Sequence, residues 1–126
     1  MSLIHNTNKV KQSIDFTNIE WGNIHPSDID AVLEFNNEVL ILIEVKQKGK
    51  EIPTGQKLML ERISDSWHTK KSIVLLVWHD FNNENMDIPL DKCIIEKVYF
   101  ESKWTSKKEK LKPYLDKIKK YYKIEK

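Results

Sequence analysis

The sequence is short of the residues that punctuate and cross-link chains: it has three glycines, four prolines and a single cysteine in 126 positions. One cysteine cannot form an intramolecular disulfide and argues against a cysteine-built zinc site, which points to a reducing, cytoplasmic setting. With so little glycine and proline there is no low-complexity linker, and no repeat period is visible, so residues 1–126 read as one continuous domain. Long apolar runs are missing too. The longest uncharged stretches, Val39 to Ile43 and Ile73 to Trp78, cannot span a bilayer, and the polar start Met1 to Asn8 lacks a signal-peptide core. The expectation is a soluble protein with no membrane partner.

Net charge is also nearly absent, since 21 basic and 19 acidic residues give only +2, and the total selects no partner. Its distribution says more. From Lys103 to Lys126 there are ten lysines against three acids, whereas the preceding 102 residues carry eleven basic and sixteen acidic side chains. A mildly acidic body thus carries a basic C-terminal segment, 103–126, read here as helical. Such a segment can bind phosphate backbones by counterion release, although a lysine run is also the ordinary signature of a solvated helix face. Trp104, Tyr114, Tyr121 and Tyr122 interleave with these lysines; helical spacing favours docking of the tyrosines on the body over base stacking.

What is present is alternation. The first twenty residues carry weak apolar spacing through Val10, Ile14, Phe16 and Ile19, consistent with an irregular lead-in or one short helix ending near Trp21-Gly22. From Asp28 to Phe35 the residues alternate, and Val39 to Lys46 is rich in Val and Ile, which together read as an antiparallel hairpin. A two-residue turn at Asn36-Asn37 would pair Phe35 with Glu38 and put Asp30 and Glu44 on opposite faces. A three-residue connection, Asn36 to Glu38, pairs Phe35 with Val39. It gathers Ile29, Ala31, Leu33, Phe35, Val39, Ile41, Ile43 and Val45 onto one wholly apolar face, and makes Asp30 and Glu44 cross-strand neighbours.

After Gly49 and Pro53, Thr54 to His68 has helical spacing, with Thr54 as N-cap and Gln56, Leu60, Ile63 and Trp67 on one stripe. Ser72 to Trp78 reads as a central strand reached by this helical crossover. Lys92 to Phe100 reads as a further strand, and Pro113 opens a final helix carrying Leu115, Ile118 and Tyr122. The predicted architecture is α/β: a mixed sheet of four to five strands flanked by helices, in the order (α)ββαββα.

Hydrolysis of a phosphodiester by water calls for a divalent cation that acidifies the water and screens the phosphate, and hard cations take carboxylate and carbonyl oxygens. Asp30 and Glu44 offer converging acids, and Lys46 follows on the face of Glu44, roughly 7 Å along the strand. The plain alternative is an edge salt bridge, since charges at the end of so apolar a strand must be compensated by pairing, metal or water. The histidines share no metal-ligand spacing on one element, and no Gly-rich phosphate loop or Gly-x-Ser-x-Gly elbow occurs, which argues against nucleotide hydrolysis and serine chemistry.

The string His25-Pro-Ser-Asp-Ile-Asp30, the apolar hairpin, Glu44-Val-Lys46, Gln56 opening a helix and the buried strand Ser72 to Trp78 together resemble the PD-(D/E)XK nuclease superfamily, over Glu20 to Trp78. The resemblance implies a restriction-endonuclease-like fold and a metal-dependent DNA endonuclease, structure-selective in the manner of Holliday-junction resolvases. In that likeness Asp30 and Glu44 bind Mg²⁺, or Mn²⁺ in its place, with the Val45 carbonyl as a third ligand. Lys46 positions or activates the attacking water, Gln56 orients phosphate or water, and Glu20 is the upstream acid completing the metal site. DNA is the implied partner, and a homodimer the form that cuts two strands. Pro26 is not adjacent to the acid in this chain, so Asp28 and Asp30 both stand as the ligand. The alternative is an inactive nuclease-fold module that binds nucleic acid or protein without cutting.

Overall fold

A computed structural model describes residues 14–82 and 85–124 of the chain. Its elements are β1 (Ala31–Phe35), β2 (Val39–Gln47), α1 (Thr54–Asp65), β3 (Ser72–His79), β4 (Ile94–Phe100), β5 (Lys103–Lys110) and α2 (Leu111–Tyr121), with a 3-10 turn at Leu90–Lys92 ahead of β4. The strands form one mixed sheet in the order β1-β2-β3-β4-β5. β2 and β3 run parallel and every other pair is antiparallel. Antiparallel neighbours can be joined by short turns, but parallel β2 and β3 need a crossover, which α1 supplies.

The hairpin adopts the register in which Phe35 pairs with Val39 and Ala31 with Ile43. Asn36 and Asn37 both take left-handed backbone, with φ of 53° and 62°, a conformation that short polar side chains tolerate best. Glu34 accepts the Asn37 N–H at 3.0 Å, and the Glu38 N–H closes the turn on the Phe35 carbonyl at 2.8 Å.

Strand alternation then divides the core in two. Ile41, Ile43, Leu75, Val77, Ile95 and Val98 pack under α2 with Leu111 and Ile118. Leu40, Leu42, Val74, Leu76 and Tyr99 pack under α1 with Leu60, flanked by Met59, Ile63 and Trp67. β2 and β3 are covered on both sides, which explains their nearly uninterrupted Val, Ile and Leu content. Where α1 meets β3, the two buried serines Ser64 and Ser72 bond to each other at 2.6 Å, and the Ser72 hydroxyl donates to the Ser64 carbonyl at 2.7 Å.

Several expectations are corrected. Of the two readings of the lead-in the irregular one holds and the short helix does not: residues 14–30 carry only turns, a bend and an isolated bridge between Trp21 and Ile24, and Val10 lies outside the described residues. The first strand starts at Ala31, because the chain bends at Asp30, and Ile29 therefore packs in the α1-side cluster and not with Ala31 and Leu33. α1 ends at Asp65, short of His68, and its N-cap is Pro53, with Thr54 already inside the helix and no side-chain cap. Pro113 is the third residue of α2, not its opening.

The largest correction is β5. A third of the basic segment 103–126 is a strand rather than a helix, so the order is ββαβββα. β5 is mostly solvent-exposed, and lysine along an open sheet edge discourages pairing with other chains. No helix among the described residues is long and apolar enough to cross a membrane.

Candidate active site

The acids meet where the hairpin opens. Asp30 stands one residue before β1, next to the Ala31–Ile43 pair, and faces Glu44. Its Oδ2 accepts the Val45 N–H at 2.7 Å, while Glu44 Oε1 lies 3.5 Å from the Asp30 N–H, so each residue is tied to the backbone opposite. Gln56, in the first turn of α1, donates its Nε2–H to Glu44 Oε2 at 3.2 Å and to the Asp28 carbonyl at 2.7 Å. One amide thereby joins the helix, the chain entering β1 and the acid of β2. Asp28 takes part through its main chain, and of the two aspartates Asp30 is the more strongly coupled to Glu44.

Burial and then the Asp30 charge push the Glu44 carboxyl above the usual range, with a smaller push from Asp28. The Asp30 N–H and the Gln56 amide pull the other way without cancelling it. Two carboxylates held this way favour a proton or a cation between them. The donor set of Asp30, Glu44 and the Val45 carbonyl is all hard oxygen. Mg²⁺ keeps several waters and commonly takes one or two carboxylates plus substrate phosphate, so these residues fit it. Among the described residues no group of three His, Cys, Asp or Glu side chains is placed to hold a metal.

Glu20 has a different partner. Its carboxylate meets His25 Nδ1 at 3.0 Å, with both side chains more than half exposed. Lys46 shares the face of Glu44, as strand spacing requires, and it too is engaged: Nζ donates to the Lys50 carbonyl at 2.6 Å and forms an ion pair with Glu96 of β4 at 2.9 Å. The Lys46 side chain is only 10% exposed. The pair lines a cleft of about 140 Å³ with Thr54, Lys57 and Lys97. Asp30 and Val45 also border a hollow of about 340 Å³ on the α2 side, with His79, Ile88 and Leu90.

Glu96 and Lys97 were not identifiable as site neighbours from local spacing, because an irregularity puts them there. β3 pairs Leu76 with Lys97 and Val77 with Ile95, leaving Glu96 as an extra residue. This β-bulge turns two successive side chains of β4 into the same cleft, the re-aiming that bulges supply. The signal in the sequence is the run Ile94-Ile95-Glu96-Lys97-Val98, whose two apolar and two charged neighbours break the alternation.

Among the aromatic residues of the basic segment, Trp104 packs beside Tyr99, with ring centroids 5.0 Å apart and planes tilted by 44°, and donates its indole N–H to Glu61, so it belongs to the α1-side core. Tyr114 and Tyr122 pack under α2, and Tyr121 is 66% exposed. The lone cysteine, Cys93, is buried ahead of β4, and burial with the Asp91 charge pushes its thiol up to about 11, away from the reactive thiolate. No family model, curated protein or solved structure matches the chain.

Proposed function

We propose that the chain is a metal-dependent DNA endonuclease with a restriction-endonuclease-like fold of the PD-(D/E)XK type, acting on duplex or branched DNA. The observation that carries this reading is the coupling of Asp30 and Glu44 at the mouth of the β1–β2 hairpin, with Lys46 on the face of Glu44 and Gln56 bonded to it. Asp30, Glu44 and the Val45 carbonyl would hold Mg²⁺ or Mn²⁺. When bound, the ion acidifies a water and screens the phosphate. Gln56 fixes the orientation of Glu44, and Lys46 supplies positive charge to the developing phosphorane oxygens or holds the attacking water. Glu20 serves as an outer acid only if it leaves His25. The reading places the protein in the cytoplasm with DNA as partner, as a homodimer where two strands are cut.

The test is incubation of the purified chain with supercoiled plasmid and four-way-junction DNA in Mg²⁺ or Mn²⁺. Nicks are expected for the native chain, with a loss of about 100-fold or more in Glu44→Ala and Lys46→Ala. Full activity in both variants rejects the site. A second reading, binding without cleavage, draws on the Lys46–Glu96 pair, which occupies the lysine that the chemistry needs. DNA binding with no nicking under any metal selects it.

A further inference from the structure

The strand character of residues 103–110 sorts their lysines by face. Side chains directly paired across a sheet point the same way, so the registers define two cross-strand rows on the α1 side. One row runs Glu44, Leu76, Lys97, Ser106, and the next runs Lys46, Trp78, Ile94, Lys110. Lys108 falls on this side as well, two residues from Lys110. Lys107 and Glu109 fall on the other side, where the Lys107 ammonium sits 5.9 Å over the Tyr114 ring and Glu109 pairs with Lys117 at 2.7 Å.

Nearest the site, the two faces differ in how their lysines are partnered. On the α2 side these basic groups are matched by partners in the chain. On the α1 side Lys97, Lys108 and Lys110 form no ion pair with an acid of the described residues. Lys108 and Lys110 are exposed and Lys97 is partly so. They start in the rows of Glu44 and Lys46 and lead away from them across the sheet. From β2 to β5 is three strand spacings, about 14 Å, the axial length of about four base pairs.

We infer that the α1-side face of β4 and β5 is the track along which duplex DNA enters the Asp30–Glu44 site, its phosphates held by Lys97, Lys108 and Lys110. The choice of DNA rests on the nuclease reading; the face rests on the register. The bulge at Glu96 is part of the device, because it brings Lys97 onto the track while its neighbour restrains Lys46.

The experiment measures binding of the full chain to a short labelled DNA duplex by fluorescence anisotropy, with Ca²⁺ in place of Mg²⁺, across about 50 to 200 mM salt. The variant carries Lys97→Ala, Lys108→Ala and Lys110→Ala; a comparison variant with the same charge change carries Lys107→Ala, Lys120→Ala and Lys123→Ala. Loss of three phosphate contacts lowers the slope of log affinity against log salt by about 2.7, so the native affinity falls about 40-fold more than the variant's over that range. Thermal melts confirm that both variants are folded. An unchanged slope in the first variant, a larger loss in the second, or no binding by the native chain overturns the track. Tighter, equally lysine-dependent binding of duplex RNA overturns the choice of DNA. Binding through the three lysines with no cleavage under any metal overturns the nuclease reading and leaves the track standing.

Discussion

Lys46 is the most confined charge at the site, and replacing Glu96 by Gln removes its counter-charge while keeping the shape of the side chain. A fully buried pair broken on one side costs about 3–5 kcal/mol, and an exposed pair contributes about 0.2–1 kcal/mol. This pair lies between those limits, with side chains 10% exposed at Lys46 and 40% at Glu96. The Lys50 carbonyl continues to accept from the ammonium at 2.6 Å. The expected loss for Glu96→Gln is about 1–2 kcal/mol, which for 126 residues lowers the Tm by about 4–8 °C. The opposite truncation, Lys46→Met, leaves a carboxylate that can turn to water and should cost less than about 1 kcal/mol. Thermal melts without metal measure both, and the double variant closes the cycle with a coupling of about 1 kcal/mol. Equal losses from the two single variants, or a Glu96→Gln protein as stable as the native one, would refute the reasoning.

The remaining expectations concern Glu44. Mg²⁺ at about ten times its Kd should stabilise the native chain by about 1.4 kcal/mol, raising the Tm by about 5 °C in a fluorescence melt. Glu44→Ala should abolish that rise, and a shift of equal size in the variant would place the ion elsewhere. The second expectation follows from the raised carboxyl of Glu44, which makes the folded chain hold this proton more tightly than the unfolded chain. The stability contributed by the proton is present at low pH and lost as pH climbs from the ordinary value of 4.5 through the raised folded value. Glu44→Gln has no such loss, so the Tm difference between variant and native should move in the variant's favour across that window. A difference that does not change with pH contradicts the coupling.

Much of this was legible where burial leaves one answer. The hairpin register followed from Ile41, Ile43, Leu33 and Phe35, because only one pairing collects them on a single face, and the same pairing sets Asp30 beside Glu44. The stripe through Leu60 and Ile63 placed α1, and with it Gln56 against Glu44. β5 was not legible: Lys103 to Lys110 offers only Trp104 as a large apolar residue, and an exposed edge strand is held by its neighbour's backbone without a hydrophobic face of its own. The Lys46–Glu96 contact was out of reach for a related reason, since it joins strands far apart in sequence through an irregularity that no regular period encodes. Thr54 failed as a cap because it is already the first residue of the helix, one position earlier than expected, with Pro53 as the N-cap, its ring holding φ at −55°.

The extra residue at Glu96 also makes the length of β4 an odd-even counter. Upstream of it Ile95 lies under α2, and three positions later Val98 does as well, a spacing that an unbroken strand would forbid. Deleting Glu96 would restore plain alternation, with Ile95 and Val98 still under α2 and the Tyr99 phenol still on Asp65, which it bonds at 2.9 Å, but it would remove the carboxylate paired with Lys46. Deleting a residue elsewhere in β4 would instead turn every later side chain to the opposite face, so the bulge is where this central strand can lose a residue and keep its two faces.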